Sequence, residues 1–174
     1  MENLNTYPHK TGETVVYRKQ GIYEITSVKE QIIGDIKKDY YVFSSVYDKN
    51  ATIYVPVDNE NLTSQIESVL STDEINLIID QSETTGITWI ENNTQRAICY
   101  DEIIKSNDLS RILAVLRLYM LQKEGENKKS FRAFAKDERI FSAAMKNITE
   151  AFAYPLGIAK PEVVSYITDR LKNK

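Results

Sequence analysis

The stretch Tyr40-Tyr-Val-Phe-Ser-Ser-Val-Tyr47, Asp48-Lys-Asn50, Ala51-Thr-Ile-Tyr-Val55 decides how the front of this chain folds. Aromatic and β-branched residues suit a pleated, half-buried surface, and the Asp-Lys-Asn triplet supplies a turn that folds the second run back on the first. Pro56 has no backbone donor and is expected to end that ladder. Upstream, Glu13-Thr-Val-Val-Tyr17 alternates polar and apolar residues, and a break at Gly21 leads into Ile22-Tyr-Glu-Ile-Thr-Ser-Val28, which predicts a hairpin. Charged Lys37-Lys-Asp39 leads into the Tyr40 run. Four or five short strands in about 50 residues predict a small SH3-like or Tudor-like β-barrel with an open edge strand. Tyr40, Tyr41, Phe43, Tyr47 and Tyr54 alternate as barrel packing requires, so most belong to its core.

Downstream of Pro56 the period changes. Ser71-Thr-Asp-Glu74 offers a capping hydroxyl with acids in the first turn, and Ile75, Ile78 and Ile79 share one helical face. Gln81-Ser-Glu-Thr-Thr-Gly86 is a polar linker and, by composition, the best candidate for a domain boundary. Asn107 or Asp108 caps a long helix that buries Leu109, Ile112, Leu113, Leu116, Tyr119 and Met120. Lys136-Asp-Glu138 opens another, with Ile140, Phe141, Ala144, Ile148, Ala151 and Phe152 inward, and Tyr154-Pro-Leu-Gly157 stops it. Pro161 sits in the first turn of a last helix carrying Val163, Val164, Ile167 and Leu171. The fold class is therefore α+β, a small β-barrel followed by an all-helical domain.

Charge divides the chain along the same line. Residues 1–95 hold 7 Lys and Arg against 15 Asp and Glu, a net of −8, while residues 96–174 hold 15 against 10, a net of +5. Opposite signs suggest different partners, a protein surface for the front and nucleic acid for the back. One cysteine, Cys99, and one histidine, His9, leave no internal disulfide and no cysteine-rich metal site. Cys99 reads as a small buried hydrophobe on its helix. Without a Gly-rich phosphate loop, a metal-spaced cluster or a nucleophile–base pair, an enzyme ranks last, and no cofactor, membrane or small-molecule substrate is expected. The start Met1-Glu-Asn-Leu-Asn-Thr6 lacks a basic-then-apolar leader, and a cytoplasmic location is expected.

Gly12-Glu-Thr-Val-Val-Tyr17 with Gly21, Tyr40-Tyr-Val42 and Tyr54-Val-Pro-Val57, followed by Thr88-Trp89, Arg96, Ile103-Ile-Lys-Ser-Asn-Asp108, Asp137-Glu138 and Leu156-Gly157, resemble in order and spacing the CarD-like (CdnL-type) bacterial transcription regulators. The front module resembles the RNA polymerase-interaction domain that these share with transcription-repair coupling factors. The resemblance covers roughly residues 10–172 and divides the chain into a Tudor-like polymerase-interacting domain, 1–65, and a helical DNA-contacting domain, 66–174.

The resemblance implies that the barrel binds the β subunit of bacterial RNA polymerase by adding a strand to its edge, here Ala51, Thr52, Ile53, Tyr54 and Val55, for which a proline at Ile53 is the sequence-based probe. Relatives often carry arginines at the positions of Gln31 and Tyr54; this chain has neither, and its Tyr17-Arg-Lys-Gln-Gly21 turn lacks the family's proline. The resemblance also implies that Trp89 wedges into the minor groove at the upstream edge of the melted promoter, stabilising the open complex. Arg96 matches a family basic position. Lys128, Lys129, Arg132 and Lys136, with Lys105, Arg111 and Arg139, are phosphate-contact candidates by charge, without sequence specificity. Where relatives place basic residues after the tryptophan, this chain has Glu91-Asn-Asn93. From the residues alone a single tryptophan is more often a packing residue than a wedge. The alternative function is a Tudor-like protein–protein adaptor whose helical domain binds another protein.

Overall fold

The computed structural model describes residues 7–19, 21–33, 36–48, 50–125 and 131–173, with side chains except at 33 and 123–136. Its contacts divide the chain into two units, Met1–Val69 and Leu70–Lys174.

The first unit holds β1 (Thr14–Tyr17), β2 (Gly21–Ile33), β3 (Ile36–Ser45), β4 (Thr52–Pro56), a one-turn helix α1 (Glu60–Thr63) and β5 (Ile66–Ser68). All neighbours are antiparallel, in the order β4-β3-β2-β1-β5. The expected barrel is thus an open sheet. Its two ends, β4 and β5, do not pair among the described residues, because three-residue β5 is spent on β1, with Tyr17 opposite Ile66. Val15, Tyr17, Ile25, Tyr41, Phe43, Val55 and Ile66 form its buried core, with Tyr17 edge-on to Phe43 at 5.4 Å between centroids. Of the five aromatics expected to alternate into a core, Tyr41 and Phe43 are fully buried, Tyr40 and Tyr47 half-buried, and Tyr54 exposed.

A bulge sets the register of β2. Ile25 faces Phe43 but Ser27 faces Val42, so Thr26 is the extra residue, and its Oγ1 donates to the Val42 carbonyl at 3.1 Å. Ile25 and Val28, three apart, can therefore both face the core. Past the bulge, β2 and β3 continue as a two-stranded arm through the pairs Gln31↔Lys38 and Ile33↔Ile36, well beyond the expected strand end at Val28. Ile32 and Ile36 stand exposed near its tip. At Gly21, the first residue of β2, the Tyr23 ring packs closely over the backbone, 3.0 Å from where a Cβ would stand.

The second unit packs α2 (Thr72–Gln81), α3 (Asn93–Lys105), α4 (Leu109–Gly125), α5 (Phe131–Leu156), a 3-10 turn (Lys160–Glu162) and α6 (Val163–Lys172) around one core. Ser71 caps α2 in a reciprocal box with Glu74, and Ile75 and Ile79 of that helix are fully buried against the others. The Gln81–Gly86 stretch therefore lies inside this unit and is not a boundary; the first unit instead runs to Val69, beyond the expected residue 65, because β5 belongs to its sheet. Asp108 is the cap of α4, its Oδ1 accepting from the Arg111 amide at 3.2 Å, while Asn107 takes the left-handed conformation that separates α3 from α4. The described part of α5 already includes Phe131, five residues before Lys136. It ends where Gly157, at φ +66°, lets its own amide reach Tyr154 and that of Ile158 reach Ala153. Val163 and Ile167 seat α6, and Cys99 is a half-buried residue against the core. Among the described residues no helix is long and apolar enough to cross a membrane.

The β1–β2 turn keeps two non-glycine residues in the left-handed region, Arg18 at φ 54° and Lys19 at φ 53°. A Cβ there crowds the following carbonyl by roughly 1–2 kcal/mol, partly offset in any glycine variant by a freer unfolded chain. Lys19→Gly is expected to stabilise the first unit by about 0.5–1 kcal/mol, read as a higher urea midpoint in far-ultraviolet circular dichroism; an unchanged or lower midpoint would mean the turn carries no strain.

Candidate interaction sites: a sheet edge and a tryptophan cradle

Antiparallel pairing turns alternate backbone groups toward the neighbour and away from it. The β3–β4 ladder is bracketed by the Ser45 amide donating to the Ala51 carbonyl at 3.0 Å and the Val57 amide donating to the Asp39 carbonyl at 2.9 Å. The pairs Phe43↔Ile53 and Tyr41↔Val55 lie between them on the same parity. Ile53 and Val55 thus direct their backbone groups into the sheet, and Thr52 and Tyr54 direct theirs outward along the free edge. Pro56 falls on the outward parity too. It is the last residue of β4, opposite Tyr40, as expected, but the Val57 amide still donates to Asp39 beyond it, so the missing proline amide is not what ends the ladder. Its missing amide removes an outward donor only.

Side chains follow the same alternation. Val55 is buried and Ile53 packs partly on the core, while Thr52 and Tyr54 are exposed, Tyr54 at 47%. Cross-strand partners share a face. Gln31 pairs with Lys38, and Tyr54 pairs with Val42, four residues along β3, so Gln31 and Tyr54 project from one face, away from Tyr41 and Phe43. Lys38 on that face is held by Asp58 at 2.9 Å.

In the second unit Trp89 lies in a segment without regular structure between α2 and α3. It is half-buried, its ring edge-to-face with Tyr119 (centroids 5.3 Å apart, 86°) and 6.5 Å from Tyr100, with the Arg96 guanidinium 4.3 Å over it. Both packing and partial exposure are therefore true of this residue.

Arg96 does not stand where a phosphate contact would need it. It is 1% exposed and pairs with the equally buried Asp137 of α5. Its Nε donates to Asp137 Oδ2 at 2.9 Å, Nη1 to the carbonyls of Ile90 (2.6 Å) and Glu91 (3.3 Å), and Nη2 to Asn93 Oδ1 (2.7 Å) and Asp137 Oδ2. A guanidinium has five N–H donors, and all five are used. The sequence-based assignment of Arg96 to DNA is corrected accordingly. Asp137, noted in the sequence only as a helix opener, is its counter-charge. Tyr100 completes the cradle by donating to the Thr88 carbonyl at 2.8 Å. Burial first, and then the charge of Asp137, hold the Tyr119 hydroxyl well above the usual phenol range.

The remaining basic candidates are dispersed. Lys105 and Arg139 are exposed and share Asp101, at 2.5 and 2.8 Å, whose carboxyl the Lys105 hydrogen bond and then Arg139 hold below the usual range. Arg111 is exposed on the first turn of α4. Lys128 and Lys129 lie outside the described residues, as do the side chains of Arg132 and Lys136, whose backbones are in α5.

Removing one partner of a buried ion pair strands the other's charge, at a cost of roughly 3–5 kcal/mol. Asp137→Ala is expected to destabilise the helical unit by about that amount and to shift the emission of Trp89, the chain's only tryptophan, to the red. Urea unfolding followed by that emission checks both; wild-type stability with an unmoved spectrum would show that the pair holds nothing.

Comparison with known families matches residues 9–69 to the CarD-like/TRCF RID domain. Comparison with curated proteins returned no match. The matched span runs from the irregular segment preceding β1 to just past β5 and so covers the described sheet of the first unit. Residues 9–69 therefore carry a CarD-like/TRCF RID domain, an RNA polymerase-interaction module of transcription regulation.

Proposed function

We propose that this protein is a non-catalytic transcription regulator that docks on the β subunit of RNA polymerase by strand addition at β4 and stabilises the promoter open complex. In this reading Trp89 of the helical unit contacts DNA at the upstream edge of the bubble. The observation that carries it is the β4 edge, which no strand pairs among the described residues, inside an RNA polymerase-interaction domain, with the Thr52 and Tyr54 backbone groups turned outward. An exposed ladder of donors and acceptors is a template for a further strand, and affinity then comes from the main chain. Gln31 of β2 and Tyr54 of β4, on one face of the sheet, supply neutral contacts where relatives use arginines.

Docking concentrates the helical unit at the promoter, so a weak DNA contact suffices and needs no sequence recognition. A half-buried indole already seated on the core loses little freedom when it replaces the stacking lost at a melted step. A preference of about 1.4 kcal/mol for open over closed DNA shifts that equilibrium tenfold. With Arg96 buried, cations for the phosphates come from Lys105, Arg111 and Arg139 and from Lys128, Lys129, Arg132 and Lys136.

A second reading, a protein–protein adaptor whose helical unit binds another protein, is favoured by one specific observation. Arg96 is withdrawn from the surface and Glu91 stands exposed two residues after Trp89, which lowers the positive potential a DNA site needs.

The parity of β4 dictates the test. Ile53→Pro, the obvious choice from sequence, would break the internal ladder, because the Ile53 amide faces β3. Tyr54→Pro removes an outward amide from a position equivalent to that of Pro56, and Tyr54→Ala removes the ring alone. Tyr54→Pro is expected to weaken binding to RNA polymerase roughly tenfold or more, while Tyr54→Ala has a smaller effect. Equal binding by Tyr54→Pro and wild type would exclude strand addition at this edge. Binding of wild type to polymerase without any change in open-complex lifetime would favour the adaptor.

A further inference from the structure

We infer that Arg96, together with Asp137 and Tyr100, is a positioning residue that sets how Trp89 is presented, and that its guanidinium shape rather than its charge is what the site requires. The inference rests on the proposed DNA contact of Trp89. Trp89 sits in an irregular segment, where a side chain would ordinarily sample several rotamers. Here the carbonyls on either side of it are both taken: Thr88 by the Tyr100 hydroxyl at 2.8 Å, and Ile90 by Arg96 Nη1 at 2.6 Å. With the backbone clamped before and after, the indole has one face under the guanidinium at 4.3 Å and an edge-to-face neighbour in Tyr119 at 5.3 Å.

The fork is itself immobilised. Asp137 Oδ2 accepts from Nε and Nη2, reaching across from α5, and Asn93 Oδ1 accepts from Nη2 within the first turn of α3. One planar group thus ties the Trp89 segment, α3 and α5 together. A lysine carries the same charge but donates from a single point and cannot stack flat on an indole while holding two carbonyls and a carboxylate. A residue acting through phosphate attraction would tolerate that exchange; a residue acting by shape would not.

The test uses the full chain in wild-type form and as Arg96→Lys, Tyr100→Phe, Trp89→Ala and the double variant Arg96→Lys/Trp89→Ala. Two quantities are read: acrylamide quenching of Trp89 emission in the free protein, and the lifetime of the promoter open complex with RNA polymerase. Arg96→Lys and Tyr100→Phe are expected to raise the quenching constant roughly twofold and to shorten the lifetime toward that of Trp89→Ala. The double variant should be no shorter than Trp89→Ala alone, since a positioning residue has nothing left to position. Unchanged quenching in a variant whose circular dichroism is native would overturn the inference. So would a double variant whose lifetime falls further by the full factor seen for Arg96→Lys, which would return Arg96 to an independent DNA contact. Should Arg96→Lys not fold, Tyr100→Phe, which loses one hydroxyl, carries both readouts. A Trp89→Ala lifetime equal to wild type would remove the DNA reading instead, and quenching in the free protein would still decide positioning.

Discussion

Alternate backbone groups of β4 are committed to β3, and that odd-even division governs what the first unit offers a partner. Ile53 and Val55 spend their amides and side chains inward; Thr52 and Tyr54 spend neither. Had the sheet closed, β5 would have consumed the outward groups, and closure alone abolishes an edge. Instead β5 is three residues long and pairs with β1, leaving β4 uncovered by any strand among the described residues. Pro56 is compatible with this division because it falls on the outward parity, where it shortens the usable edge without weakening the sheet. Such an edge is an aggregation hazard in a protein with no use for it. In an RNA polymerase-interaction domain it is the surface from which the proposed docking starts.

The helical unit is organised by a different constraint, the burial of a charge. Taking Arg96 and Asp137 out of water is costly, and a buried pair is repaid only where its remaining donors also find acceptors. Here five donors find carbonyls, an amide oxygen and a carboxylate, three of them within the few residues that carry or follow Trp89. Asp137 Oδ1 has no hydrogen-bond partner among the described residues, so the pair is asymmetric, its hydrogen bonds gathered on one carboxylate oxygen. Hydrophobic residues of similar volume could fill this space with equal or better stability. What they could not do is hold two consecutive carbonyls of an irregular segment and cover the face of an indole.

Much of this was legible in the sequence, and the failures have physical causes. Alternation located β1, β4 and the cores of β2 and β3, and spacing by threes and fours located α2, α4, α5 and α6, because those segments bury one face and leave the other wet. The β2–β3 arm was not legible beyond Val28 because neither of its faces is buried, so Lys29, Glu30, Lys37 and Lys38 occupy it without a period. Barrel closure was overestimated because strand count says nothing about which ends meet. Gln81–Gly86 looks like a linker by composition, yet the apolar Ile75 and Ile79 ahead of it already belong to the helical core. Trp89 was singled out for the wedge role by resemblance, and its residue-based reading as a packing residue agrees with its half-buried place against the core. Arg96 was misassigned although a signal existed: Arg96, Tyr100 and Ile103 are spaced four and three apart on the buried stripe of α3, and Asp137 precedes Ile140, Ala144 and Ile148 on that of α5. A lone charge on each of two apolar stripes, opposite in sign, is the pattern of a buried pair rather than of two surface contacts.

The most direct test of the account is amide hydrogen exchange along β4, residue by residue, in the free protein and in its complex with RNA polymerase. Strand addition at this edge predicts that Ile53 and Val55 are protected in both states, while Thr52 and Tyr54 exchange freely alone and slow by tenfold or more in the complex. A complex in which Thr52 and Tyr54 exchange as fast as in the free protein would place the polymerase contact elsewhere and contradict the account.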